Sequence, residues 1–230
     1  MVSYYLQGVM ILLTFNDIKN NEQIRTYIKK ADEALSILGF TEHNFAHVTK
    51  CAETASSILN SLGYDERTCE LAKIAGFMHD IGNIVNRVDH AQSGAVMAFR
   101  ILDKLEMDPE EIATIVSAIG NHDESTASPI NAVAAALILA DKSDVRRSRV
   151  RNNAIATFDI HDRVNYAVID SDLHFTKDMN SIELDLVIDT EIASVVSYFE
   201  IFLNRMLLCK RAAEFLKIKF VLNINGMNLL

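Results

Sequence analysis

The chain has 230 residues, half of them hydrophobic, with two prolines, eight glycines and a formal net charge of −9. That supports a sizeable core, as one large domain or a medium domain plus a small one, and the scarcity of helix breakers points to long helices. The negative balance argues against a general nucleic-acid binder, and no stretch approaches the roughly 18 uninterrupted apolar residues that span a bilayer.

Met1 to Leu13 is apolar but has no Lys or Arg ahead of it, which argues against a signal peptide. Met10 is an alternative natural start, because Thr14 to Ile18 reads as the beginning of a domain. Residues 17–38 read as a helix pair or one interrupted helix ending at Gly39-Phe40. Thr41 is the expected N-cap of the next helix, which runs to about Leu62 with an apolar stripe of Val48, Ala52, Ala55, Leu59 and Leu62. His43 and His47 fall one turn apart on it, hence on one side. Glu66 to His79 is the following helix, and Ala91 to Leu105 comes after a loop ending in His90. Asp108-Pro109-Glu110-Glu111 combines an N-cap carboxylate, proline at the first helical position and an early Glu. His122 lies at the end of that helix. Pro129 opens a helix over Asn131 to about Asp144, apolar nearly all round and therefore central.

Beyond about residue 155 the texture changes. Tyr166 to Ile169 and Ile182 to Ile188 read as strands, the second alternating apolar and acidic residues. Ile192 to Leu216 is a long amphipathic helix whose apolar face is core or a homodimer seam, and Lys217 to Asn225 is a last strand. The expected fold is mainly α: a helical bundle over 1–155, then a small α+β unit (β-β-α-β) over 156–230. Cys51, Cys69 and Cys209 are odd in number and lack metal-like or disulfide-like spacing, as befits free thiols in a cytoplasmic protein.

His79 and Asp80 are adjacent at the end of an apolar helix. Neighbours on a helix point about 100° apart, but a loosened last turn lets an imidazole and a carboxylate meet at one transition metal. The other candidates, in order, are His47, His90, His122 and Asp141, with His43 beside them. Each lies on or at the end of a different expected helix, and a bundle can gather such residues in its core. An Asp141 in so apolar a helix is costly without a cation or partner.

The order His, His-Asp, His, His, Asp resembles the two-metal form of the HD-domain superfamily of metal-dependent phosphohydrolases. The matching pieces are His43-Asn44-Phe45-Ala46-His47, Phe77 to Gly82, Asp89 to Ala95, Ile119 to His122 and Leu139 to Lys142, within about residues 40–145. The resemblance implies His47, His79, Asp80 and Asp141 as a common ligand core, His90 and His122 completing a second metal, and Asp80 as the bridging carboxylate. Two divalent transition metals (Fe, Mn or Zn, with Mg as an alternative) about 3.5–4 Å apart would activate a water to attack phosphorus. His43-Asn44-x-x-His47 also resembles the HNxxH segment of cyclic-nucleotide phosphodiesterases, which implies His47 as ligand and His43 as general acid, with His43 as ligand the alternative.

The implied substrate is a small phosphoester, a nucleotide above all, with no nucleic-acid or membrane partner. Many relatives carry Lys where this chain has Asn83, so charge for a substrate phosphate must come from elsewhere. Lys142, Arg146 and Arg147 are the candidates; the remaining arginines up to Arg151 read as a solvated helix end. Asp123 and Glu124 read as loop residues, and His161 and His174 as structural. A diiron oxygenase with the same ligand order and a non-catalytic metal- or nucleotide-binding regulatory module are the alternative functions.

Overall fold

The computed structural model describes residues 12–152 and 158–230. The Met10 alternative and the boundary expected at residue 155 lie outside the described residues. The first helices are α1 (Phe15–Asn20), opened by a capping box between Thr14 and Asp17, and α2 (Glu22–Ile37), capped by Asn21. Then come α3 (Phe45–Ser61), α4 (Glu66–Met78), α5 (His90–Lys104), α6 (Pro109–Gly120) and α7 (Ala132–Ser143). The apolar stripes dictate how they stack. Helix α7 is buried on almost every side and touches α3, α4 and α6.

Two glycine contacts set the spacing around the future site. A Cβ on Gly76 would lie 2.7 Å from the Ala52 Cα, so glycine is what lets α3 and α4 approach so closely. After α4 the chain tightens into a 3-10 turn, Ile81–Ile84, and a Cβ on Gly82 would overlap the His90 carbonyl oxygen and the Gly94 nitrogen. This turn therefore sits directly on the start of α5.

The second part differs in detail from the expected β-β-α-β order. Residues Tyr166 and Ala167 end a short helix, α8 (Ile160–Ala167), capped by Asp159, and the first strand begins only at Val168. Strands β1 (Val168–Phe175) and β2 (Ser181–Ile188) form an antiparallel hairpin. Helix α9 (Val195–Phe215) then crosses to β3 (Lys219–Ile224), which runs parallel to β2, and β4 (Met227–Asn228) turns back on β3. Asn225 and Gly226 both have positive φ, the signature of a two-residue hairpin turn, which adds this extra strand. The sheet order is β1-β2-β3-β4.

The sheet buries Ile182, Leu184, Leu186, Phe220, Leu222 and Ile224 on one face and presents its acidic residues on the other. Helix α9 packs on both α7 and β3, so one continuous apolar cluster runs from the helical part into the sheet. No helix among the described residues is long and apolar enough to cross a membrane.

Three expected helix starts are corrected. Asn44, not Thr41, caps α3, accepting from the Ala46 and His47 nitrogens. Thr41 to His43 instead form a loop held by reciprocal bonds between Glu42 and Arg149 and by the Asp32 carboxylate on the His43 nitrogen. His90 is the first residue of α5 rather than the end of a loop, and α7 starts at Ala132 under an Asn131 cap, three residues beyond Pro129.

Candidate metal centre

The six expected ligands come from five places in the fold: α3, the α4 end, the α5 start, the loop after α6, and α7. His79 is the C-cap of α4, and Asp80 has already left α geometry (φ −97, ψ 3). The loosened turn is what lets both neighbours face inward. All four of His47, His79, His90 and His122 are at most 3 % exposed, and Asp80 is 5 % exposed.

The distances divide the donors into two sets that share Asp80. Its Oδ2 lies 3.1 Å from His79 Nε2 and 3.6 Å from His47 Nε2, and Asp141 Oδ1 lies 3.4 and 3.8 Å from His47 and His79 Nε2. Its Oδ1 lies 3.5 Å from His90 Nε2 and 3.9 Å from His122 Nε2. Two donors each about 2.1 Å from one cation lie roughly 3–3.5 Å apart, so the sets are near coordination spacing.

The imidazoles are held in one tautomer. Nδ1 of His79 donates to the Gly76 carbonyl at 2.7 Å, that of His90 to Arg87 at 3.0 Å, and that of His122 to Ile119 at 2.6 Å. Carbonyl oxygens only accept, so the proton sits on Nδ1 and each Nε2 presents a lone pair inward. The Nε2 atoms of His90 and His122 thus face each other at 3.2 Å, two acceptors with no proton between them. His79 Nε2 is buried with no hydrogen-bond partner among the described residues. An unpartnered buried lone pair beside two carboxylates is what a divalent cation would satisfy, and the donor set fits one.

Electrostatics favour neutral rings at His90 and His122. Burial pushes His122 down to about 3, with His79 and Lys142 adding to the effect, and burial also lowers His90, so both rings stay neutral. Burial opposes the charge on Asp80 and Asp141, but His79 beside the first and Lys142 beside the second hold both carboxyls well below their usual range.

His47 is held differently. Its Nδ1 donates to Asp144 Oδ2 at 2.8 Å, and Asp144, 1 % exposed, also meets Lys50 and Arg146 at 2.9 and 2.8 Å. Asp144 is thus an orienting carboxylate behind a ligand. The sequence offered a signal for it, an acid three residues after Asp141. Cys51 lies 3.7 Å from His47 Nε2 and belongs to the same donor group as His47, His79 and Asp141. All three cysteines are free and buried.

His43, on the loop rather than on α3, still reaches the centre. Its ring centroid is 5.4 Å from that of His47, Nδ1 donates to the Thr41 carbonyl, and Nε2 lies 4.0 Å from Asp80 Oδ2. Burial lowers its pKa well below the ordinary value, so the neutral ring presents an accepting Nε2.

A cavity of about 380 Å³ opens over the donors, lined by His43, Asp80, His90, His122 and Asp141. Of the three cations expected at substrate, only Lys142 lines it, with Nζ 2.8 Å from both Asp141 Oδ2 and Glu124 Oε2. Arg146 is turned back to Asp144, and Arg147 donates to the Tyr166 carbonyl while lying over the Tyr166 ring; both border a separate surface depression. The helix ends at Ser143, so these arginines are structured loop anchors rather than a solvated helix end. The cavity's remaining cations are Arg87, Arg149 and, from α9, Arg205, which the sequence did not mark. Glu124 is no free loop residue: it joins Arg205 at 2.7 Å and Lys142, and His161 lines the cavity from α8.

Residues 44–146 match the family model of the HD domain, a match that begins one residue after His43. A stretch of 168 residues is 23% identical to an uncharacterized protein of Methanocaldococcus jannaschii, over 64% of this chain and 64% of that relative's length. The crystal structure of a predicted HD superfamily hydrolase from an uncultured Thermotogales bacterium is similar at 27% identity, over 54% of this chain and 67% of that one, with a TM-score of 0.43. Residues 44–146, with their ordered histidines and aspartates, are thus similar to the HD domain, and the match takes in all six expected ligands.

Proposed function

We propose that the protein is a cytoplasmic, metal-dependent phosphohydrolase acting on a small phosphoester, a nucleotide above all. His47, His79, Asp80 and Asp141 would hold one divalent cation, and Asp80, His90 and His122 a second. The observation that carries this reading is Asp80, whose two oxygens face two different imidazole sets. Bound divalent cations would supply a water of lowered pKa and positive charge for the phosphoryl oxygens.

The chain's own groups do the rest. Backbone carbonyls and Asp144 keep every Nε2 aimed inward, so no imidazole has to reorient during turnover. Lys142 offsets part of the Asp141 charge. His43 Nε2, at the cavity edge, is placed to take up a proton and pass it to the leaving oxygen.

The test is metal analysis of the purified protein together with phosphate release from a nucleotide panel under Mn or Fe loading. About two metals per chain with phosphate release is the expected result. Metal without hydrolysis moves the reading to a regulatory module, and oxygen consumption by the iron form moves it to an oxygenase.

A further inference from the structure

The cations lining the cavity are unequally committed. Lys142 and Arg205 share the Glu124 carboxylate, and Arg149 donates to the Asp144 carbonyl at 2.7 Å with the Asp144 carboxylate 3.7 Å away. Arg87 alone of the four has no carboxylate within ion-pair distance among the described residues. Its braces are neutral: Nη1 donates to Asn83 Oδ1 at 3.3 Å and lies 3.3 Å from His90 Nε2, while the guanidinium carbon sits 5.7 Å from the Phe40 ring centroid. Asn83 is itself fixed, donating from Nδ2 to Asp80 Oδ1 at 2.9 Å and to the Asp80 carbonyl at 3.0 Å. Asn83 therefore supplies orientation, and the charge arrives four residues later.

A guanidinium at the cavity with no carboxylate in ion-pair distance among the described residues attracts an anion, and its planar fork suits the paired oxygens of a phosphate. Carboxylates from another element line the cavity as well. Asp159 and Asp162, at the start of α8, line the same cavity. A second or third phosphoryl group that extended to these carboxylates would be repelled by them.

We infer that Arg87 holds the anionic head of the substrate beside His90, and that the cavity takes one phosphoryl group: a phosphomonoester of an uncharged or cationic alcohol rather than a di- or triphosphate. The choice of ester rests on the hydrolase reading; the anion site does not.

Calorimetric titration of the manganese-loaded full chain with inorganic phosphate separates the two. Arg87→Gln should bind phosphate about tenfold more weakly than wild type, and Arg87→Lys should recover part of the loss, with manganese content equal in all three. Unchanged phosphate affinity in Arg87→Gln overturns the inference. So does manganese loss in that variant, which would make Arg87 a support of the centre rather than an anion site, and so does a wild type that binds no phosphate. In turnover, the monophosphate of a nucleoside should show the higher kcat/KM than its triphosphate, and Asp162→Asn should narrow the gap; a preference for the triphosphate overturns the ester class. Arg87-dependent phosphate binding without phosphate release from any ester removes the hydrolase reading and leaves the anion site standing.

Discussion

Two clusters of histidine and carboxylate occur among the described residues, and they share residue types but little else. In the helical part, buried rings donate Nδ1 to fixed acceptors and turn Nε2 toward Asp80 and Asp141. On the open face of the sheet, His174 sits among Asp172, Glu183 and Asp185, the last two with His174 forming a group of donors close enough to share an ion. Its side chain is 41% exposed, its Nε2 lies 3.8 and 3.9 Å from Glu183 and Asp185, and its Nδ1, a buried atom 3.1 Å from Asp172, makes no hydrogen bond among the described residues. Water can solvate these carboxylates, though His174 Nδ1 is covered, whereas the carboxylates and lone pairs of the helical centre have no such alternative. The difference teaches that ligand identity is the lesser part of a metal site. What matters is the set of acceptors behind the ligands and the exclusion of water.

The sharpest break in that contrast comes from Asp80→Asn. The amide keeps the shape but removes the one charge that faces both imidazole sets. Elemental analysis should find metal content near zero, and phosphate release should fall roughly a thousandfold or more, since both cations lose their shared ligand. Circular dichroism would check that the helices remain. A variant that keeps two metals would sink the bridging role. Next in size is Asp144→Asn, which touches no proposed metal position. It leaves an acceptor for His47 Nδ1 but strips the counter-charge that Lys50 and Arg146 also meet. Competition with a chelator should show metal affinity reduced about 10–100-fold. Unaltered affinity would mean that His47 is oriented by its helix alone.

The contrast also explains what was legible in the sequence. Helices α4 and α6 were readable because apolar stripe and cap agree, as at Asp108-Pro109. The ligand series was readable because its order is fixed along the chain, whatever the loops do. The start of α3 was not, because Thr41 and Asn44 are both good caps, and the choice is made by distant partners: Arg149 on Glu42 and Asp32 on His43. Tyr166 to Ile169 is an apolar run that suits helix or strand alike, and the Asp159 cap resolves it toward α8 for its first half. The cavity cations were hidden for the strongest reason. Arg205 owes its place to tertiary packing, meeting Glu124 across 81 positions of sequence, and Arg87 combines the near neighbours Asn83 and His90 with the distant Phe40 ring. The Asn225-Gly226 turn, by contrast, was a local signal for β4 that the sequence carried openly.

The smallest expected effect lies on the sheet, and it tests the lesson from the other side. Asp172 and Asp185 are register partners across β1 and β2, and like charges in that position repel. Asp185→Asn removes the repulsion while its remaining oxygen can still accept from Asn223 Nδ2, now at 2.7 Å. Denaturant unfolding at low salt should therefore show a gain of ~0.3 kcal/mol, fading as salt screens the pair, with metal content unchanged. A loss of stability that appears only with manganese present, or the disappearance of a metal equivalent, would make the sheet cluster a metal site in its own right. Burial and fixed tautomers would then not be what separates the two clusters, and the argument from the acceptors behind the ligands would fail with them.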